Sequence, residues 1–283
     1  MNFCKFQGFG NDYLIFAAND LSEIDSINDF ARRVCDRHFG IGADGIAVWQ
    51  KLNVANADFS ARIINPDGSE ANFSGNGTRC AVAFLHQAKI WTNENLRLST
   101  KSGLKNYRLL ESIDDEVFTF EAELGKPKFD SSLIPLLTDV KLEKVVDFDL
   151  IIDDETLKIT AANVGNPVAC VFVENFDFDW RKIGSLIENH PKFPERTNAI
   201  FVKILDKHNI EIKIWERGAG ETLASGTCAV GAAVCACLKG ETLRNVTVHS
   251  EGGESKVVWR ESDDEILLTG RADFVFRGEW EIK

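Results

Sequence analysis

The chain lacks what several functional classes require. No run approaches the ~20 apolar residues of a membrane-spanning helix. The first residues, Met1-Asn2-Phe3-Cys4-Lys5-Phe6, contain no basic segment leading into an apolar run, so no secretory signal is expected and the expected location is the cytoplasm. Basic charge is scarce: 32 Lys and Arg against 44 Asp and Glu give a net charge of −12, with no Lys/Arg cluster. A phosphate backbone is held by a concentrated basic face, so nucleic acid is excluded as a partner. Neither C-x-x-C nor paired histidines occur, and no metal site is expected. The 7 cysteines (Cys4, Cys35, Cys80, Cys170, Cys228, Cys235 and Cys237) are odd in number and unevenly spaced, which reads as free thiols and not as a disulfide framework. Cys235 and Cys237 stand two apart on an apparent helix, where they face different directions. There is no P-loop. A G-x-G-x-x-G stretch, Gly40-Ile41-Gly42-Ala43-Asp44-Gly45, follows a helical segment and precedes a strand, the reverse of the dinucleotide-binding order.

What is present is a repeat. Asn65-Pro66-Asp67-Gly68-Ser69-Glu70 leads into Ser74-Gly75-Asn76-Gly77-Thr78-Arg79, and Glu216-Arg217-Gly218-Ala219-Gly220-Glu221 leads into Ser225-Gly226-Thr227-Cys228. The polar residue ending the apparent strand precedes the Ser-Gly step by 9 positions in both copies. Gly10-Asn11-Asp12 stands before the first copy roughly as Gly165-Asn166-Pro167 stands before the second. A duplicated domain with facing half-sites is the economical reading. In 283 residues, 44% hydrophobic and 27% charged, two globular units of about 140 residues each can bury a core.

Periodicity supports the same scheme in both halves. Residues 3–16 read as a strand broken by the turn at 8–12, residues 24–38 as a helix, and 46–49 and 59–64 as strands. Residues 77–90 read as a helix apolar almost all round, hence central and buried, followed by strands at 96–100, 105–110 and 117–123. The second half repeats this with a strand at 169–173, a helix at 180–189, strands at 198–204 and 210–215, a buried helix at 227–239, and strands at 246–250, 256–260 and 265–269. The expected fold class is α/β (α+β), two pseudo-symmetric domains, each a mainly antiparallel sheet wrapped around a buried helix. The expected boundaries are 1–124, completed by a C-terminal strand at about 272–283, and 125–271.

Each Ser-Gly loop is glycine-rich and runs at once into a helix, so unpaired backbone N–H groups and the positive end of the helix dipole converge on one point. That geometry suits an anion. Ser74 and Ser225 could instead be plain N-caps, but two matching loops favour the anion reading. Asn11, Asn65, Asn166, Asn198, Glu216 and Arg217 stand at other apparent strand ends and suit a small polar ligand, Arg217 by bidentate capture of a carboxylate.

Taken with Arg37-His38-Phe39-Gly40 and Pro194-Glu195-Arg196-Thr197-Asn198, these motifs span the chain in an order and spacing that resembles the diaminopimelate epimerase family. The resemblance implies a cofactor-independent enzyme, a cytoplasmic homodimer, that interconverts LL- and meso-2,6-diaminopimelate in lysine and peptidoglycan precursor biosynthesis by two-base proton transfer at the α-carbon. It implies catalytic groups at Ser74 and Ser225, an α-carboxylate on Gly75, Asn76, Gly226 and Thr227, the distal carboxylate on Arg217, and amines and chain among Asn11, Asn65, Asn166, Asn198 and Glu216.

The chain departs from that pattern at both proton-transfer positions, where the family carries cysteine, and at Val168, where it commonly carries histidine. A serine hydroxyl is far less acidic than a thiol and normally needs an adjacent base. None is evident in the sequence. Three readings stay open at this level: a deliberate double substitution of the two cysteines, divergence to another isomerase or lyase chemistry, and an amino-acid-dicarboxylate binding protein of low activity, or one in which Cys80 or Cys228 supplies the thiol.

Overall fold

The computed structural model describes residues 1–281 and divides the chain into two compact units, one of Met1–Glu123 with the chain from Thr269 onward, the other of Leu124–Leu268. The C-terminal strand expected at about 272–283 includes Ile282 and Lys283, which lie outside the described residues.

The first unit contains strands β1 (Asn2–Gly8), β2 (Asn11–Ala17), β3 (Ile46–Val54), β4 (Ala57–Ile64), β5 (Asn95–Thr100), β6 (Gly103–Ile113) and β7 (Val117–Glu123), with helices α1 (Ile27–Cys35) and α2 (Gly75–Gln87). The strands pair in chain order, antiparallel except for β2 with β3 and β4 with β5. Parallel neighbours need a crossover, and α1 and α2 supply the two crossovers. The second unit contains β8 (Val145–Ile152), β9 (Glu155–Asn163), β10 (Pro167–Phe172), α3 (Trp180–Glu188), β11 (Asn198–Ile204), β12 (Asn209–Glu216), β13 (Gly220–Glu221), α4 (Gly226–Leu238), β14 (Asn245–Ser250) and β15 (Gly253–Trp259). Its parallel pairs are β10 with β11 and β12 with β14, and α3 and α4 connect them. The same two crossovers in each unit are the structural form of the repeat. Strand β16 (Ile266–Glu279) begins in the second unit and ends in the first, where residues 273–279 lie antiparallel to β1. The architecture is mixed α+β and dominated by sheet.

In each unit the strands curve around one helix. Helix α2 packs against β1 to β4 and is buried from Gly75 to Ala83; α4 packs against β9 to β12, β14 and β15 and is buried from Thr227 to Ala236. Helix α4 is apolar almost all round, as a helix enclosed on all sides requires, whereas α2 buries Asn76, Arg79 and His86 on one face. The outer helices α1 and α3 cover separate apolar clusters, Phe16, Phe30, Val34 and Ile46 in one unit and Trp180, Ile187, Phe193 and Phe201 in the other.

Two readings from sequence are corrected. The helix expected over 24–38 is shorter, because Ser26 Oγ accepts Asp29 N–H at its start and Asp36 ends it, accepting the N–H groups of His38 and Phe39, both at 2.7 Å. A short carboxylate that bonds its own downstream backbone competes with helix continuation. The β8–β9 hairpin was not read as strands, since a bulge between Val145 and Phe148 and the exposed apolar residues Val146 and Ile151 break its alternation. Its two-residue turn is Asp153-Asp154 with φ of 48° and 66°, the positive values that a hairpin of right-handed twist favours.

Candidate active site

The two Ser-Gly loops have the same backbone frame. Ser74 precedes α2 with φ −132° and ψ 117°, and Ser225 precedes α4 with φ −143° and ψ 124°. Each therefore stands in the extended N-cap position with the first-turn N–H groups ahead of it. Their hydroxyls are held differently.

Ser74 Oγ accepts the Gly77 N–H at 3.1 Å, a side-chain N-cap, and lies 2.8 Å from the Tyr13 hydroxyl. Behind the loop sits a buried arginine. Arg79 donates to Arg271 O at 2.9 Å and to Asn76 Oδ1 at 2.5 Å, and its guanidinium lies 5.2 Å from the Phe9 ring centroid. Burial lowers its pKa from the ordinary value, and a lining of glycines leaves it space, since a Cβ on Gly270 would come within 3.0 Å of it. Asn76, itself buried, donates to Asn11 Oδ1 at 3.3 Å, and Asn11 donates to Asp44 at 2.9 Å. Asp44 also pairs with Arg37, which bridges to Asp12 at 2.8 Å, and Lys5 reaches Asp12 at 2.7 Å. Asn65 closes its own turn, donating from Nδ2 to Ser69 Oγ at 3.0 Å.

Ser225 makes no side-chain cap. Its hydroxyl donates to Glu216 Oε2 at 3.0 Å, while the other oxygen of Glu216 accepts from Thr222 Oγ1 at 2.6 Å. Burial raises the Glu216 carboxyl above its ordinary value, opposed by the bonds from Thr222 and Ser225. Asn198 is buried and bridges two strand ends, donating to Pro167 O at 2.8 Å and accepting the Arg217 N–H at 3.0 Å. The Arg217 guanidinium donates to Glu195 O at 3.0 Å and to Asn166 Oδ1 at 3.4 Å, and has no ion pair among the described residues. The turn carrying it is fastened by buried Glu188, which accepts from Gly218 N–H and Trp215 Nε1, both at 2.8 Å, and pairs with Arg196 at 3.0 Å.

The expected residues thus fall into two groups. Ser74, Gly75, Asn76, Asn11 and Asn65 belong to the first unit; Ser225, Gly226, Thr227, Asn166, Asn198, Glu216 and Arg217 belong to the second. Asn76 with Asn11, and Arg217 with Asn166 and Asn198, are directly bonded. Asn65 touches none of the other expected residues through a hydrogen bond among the described residues.

Comparison with known proteins gives this arrangement its family. The diaminopimelate epimerase model matches residues 3–128 and 160–275. A diaminopimelate epimerase of Methanococcus maripaludis (strain C6) is 38% identical over 283 residues, covering 100% of both chains; one from Synechocystis sp. is 37% identical, covering 100% of this chain and 99% of its own. The chain belongs to the diaminopimelate epimerase family. Among solved structures, a probable proline racemase from Agrobacterium radiobacter K84 aligns over 100% of this chain and 93% of its own with a TM-score of 0.70 at 14% identity, which shows a shared fold. The family is one of epimerases, so the chain is an isomerase by descent.

Within that family frame the geometry settles which other groups sit beside the serines. The expectation that neither has an adjacent base fails at Ser225, where Glu216, expected among the substrate-binding residues, holds the hydroxyl. Val168 is fully buried and packs on α4: a Cβ at Gly231 would lie 2.6 Å from Val168 Cγ2, so a larger side chain at 168 has no space without displacement. The nearby thiols are not poised as nucleophiles. Burial pushes Cys80 up to about 12, and burial, with Glu216 beside it, pushes Cys228 well above the thiol range. Sequence reasoning missed Tyr13 and Glu188. Tyr13 had a signal, since it lies two positions past Asn11 on the same strand face; Glu188 had none.

Proposed function

We propose that the chain is an epimerase of LL- and meso-2,6-diaminopimelate, or of a closely similar amino-acid dicarboxylate, in which Ser74 and Ser225 stand at the two proton-transfer positions. The observation that carries this reading is the Ser225–Glu216 pair. A serine is too weak an acid to work alone, and a carboxylate accepting its O–H lets the proton move to Glu216 as Oγ takes one from the α-carbon. The raised Glu216 carboxyl is a stronger base than an ordinary glutamate, which brings it closer to the working range of a general base. The first-turn N–H groups at Gly75 and Asn76, and at Gly226 and Thr227, suit the α-carboxylate, and their dipoles favour the negative charge that develops as the proton leaves. Arg217, a fixed guanidinium without a carboxylate partner among the described residues, suits the distal carboxylate.

The relatives that match over the full length carry the name diaminopimelate epimerase, which supports the substrate. A role in lysine and peptidoglycan precursor biosynthesis and a homodimeric state belong to the same reading and rest on the resemblance alone, and a cytoplasmic location rests on the N-terminal sequence, which reads as no secretory signal. The test is deuterium uptake at the α-carbon of LL-diaminopimelate in deuterium oxide, followed by NMR, with calorimetric binding to the wild type and to Arg217→Ala. Uptake with meso product is expected, and Arg217→Ala is expected to weaken binding by about 1.5–3 kcal/mol, the range for a charge-assisted hydrogen bond. Binding without uptake would make the chain a binding protein. The absence of both binding and uptake would remove the substrate assignment.

A further inference from the structure

The Ser74 hydroxyl has a partner that the two-serine reading leaves without a role. Tyr13 is 6% exposed, and its ring lies in a slot that two glycines keep open: a Cβ built on Gly45 or on Gly77 would stand 2.9 Å from Tyr13 Cε1. The slot fixes the ring, and the ring delivers its hydroxyl to 2.8 Å from Ser74 Oγ. Gly77 is also the residue whose N–H Ser74 Oγ accepts at 3.1 Å, so one helical turn sets both contacts of the serine oxygen. The Gly77 N–H takes one lone pair of Oγ, and either hydroxyl can donate across the 2.8 Å contact; with the phenol donating, the Ser74 proton is left to point away from its own protein contacts. The arrangement is opposite to that at Ser225, whose hydroxyl donates to a carboxylate.

We propose that Tyr13 is the proton partner of Ser74, a positioning residue acting through the serine; the proposal rests on the epimerase reading above. When Ser74 delivers a proton, the Oγ–H bond breaks as the new Cα–H bond forms on the carbanion. The Tyr13 phenol proton moves to Oγ in the same step and leaves the negative charge on the Tyr13 oxygen. Water then returns a proton to the phenolate. Run in reverse, Oγ takes the α-proton while its own proton passes to the phenolate. In either direction the charge rests on a phenolate and not on a serine alkoxide, and a phenol is by nature a far stronger acid than an aliphatic hydroxyl. A purely structural tyrosine would show none of this coupling to serine chemistry.

The chain has 2 tyrosines, so their ionisation can be followed optically, and burial pushes the other, Tyr107, up to about 12. The experiment uses the full chain and α-proton exchange of diaminopimelate in deuterium oxide, measured across pH for wild type, Tyr13→Phe, Ser74→Cys and the double variant. Tyr13→Phe keeps the ring in its slot and removes one oxygen. It is expected to lower the exchange rate about 10²-fold or more, the range for one matched acid–base group, and to abolish the alkaline limb of the pH profile. In the Ser74→Cys background the same change is expected to cost about threefold at most, because a thiol of pKa about 8.5 carries its own ionisation. In the wild type, the alkaline limb is expected to coincide with the optical tyrosine titration that is lost in Tyr13→Phe. Equal losses in the serine and cysteine backgrounds, or an alkaline limb that survives Tyr13→Phe or falls away from the optical titration, would overturn the proposal. A wild type without exchange would overturn the epimerase reading and this proposal with it, whereas brisk exchange undiminished in Tyr13→Phe would overturn this proposal alone.

Discussion

The Ser74 and Ser225 loops share a backbone and differ in what holds the hydroxyl. Ser74 caps its helix and meets a phenol delivered by β2; Ser225 leaves its helix uncapped and meets a carboxylate delivered by β12. The repeat makes the contrast sharper, because the partners come from non-equivalent strands. Gly10-Asn11-Asp12-Tyr13 corresponds to Gly165-Asn166-Pro167-Val168, so the position of the phenol in one unit is an apolar packing residue in the other. Asn65 likewise corresponds to Glu216. Duplication preserved the backbone frame of the two Ser-Gly loops, which is tolerant of side-chain change, while the side chains that hold the two hydroxyls diverged. A buried cation, Arg79, backs the first loop, and the matching position in the second is Val230.

The largest stability effect is expected at the second loop's turn, which is held by a buried carboxylate, whereas the carboxylate in the first loop's turn, Asp67, is exposed. Glu188→Ala removes the acceptor of Gly218 N–H and of the Trp215 indole N–H. A hydrogen bond to a charged group contributes about 1.5–3 kcal/mol, and the loss should appear in urea unfolding together with weaker substrate binding through Arg217. Smaller, and aimed at the loops themselves, is the pair Ser74→Ala and Ser225→Ala. The first removes a side-chain cap and should cost ~1 kcal/mol, the second none of the cap term; equal costs in chemical denaturation would erase the capping contrast.

The pH dependence is expected to be the smallest effect. The folded-state pKa of Glu216 is raised, by burial first. Its stability contribution is therefore fully present below the ordinary glutamate pKa of about 4.3 and is lost as pH rises through the folded value. Glu216→Gln should accordingly gain stability relative to wild type on going from pH 4 to pH 7, read from unfolding midpoints. A constant difference across that range would mean that the carboxylate is as well solvated in the folded chain as in the unfolded one.

Much of the fold was legible because its signals are local. The apolar runs that became α2 and α4, the Gly-rich steps before them and the alternating strands depend on neighbours within a few residues. The β8–β9 hairpin was not legible, since a bulge between Val145 and Phe148 shifts its register and Val146 and Ile151 are apolar residues on its exposed face. The candidate site divides in the same way. The loops and strand-end residues could be named from spacing, but the contact of Tyr13 with Ser74 joins residues 61 apart, and that of Glu188 with Gly218 joins residues 30 apart. Side chains meeting over such distances leave no periodic trace. Glu216 was legible as a polar strand end, and its role was not, because a 9-residue spacing does not say which oxygen faces which hydroxyl.

The central claim is that the two serines carry protons with different partners, Glu216 at Ser225 and a phenol at Ser74. The most direct test is the rate of α-proton exchange of diaminopimelate in deuterium oxide for Glu216→Gln against wild type, measured across pH. The amide keeps the shape and can still accept the Ser225 hydroxyl, but it cannot take its proton. The expected result is a loss of about 10²–10⁴-fold and disappearance of the acidic limb, which in the wild type should lie above the ordinary glutamate range. Exchange in Glu216→Gln within a few-fold of wild type, with the acidic limb unmoved, would contradict the claim.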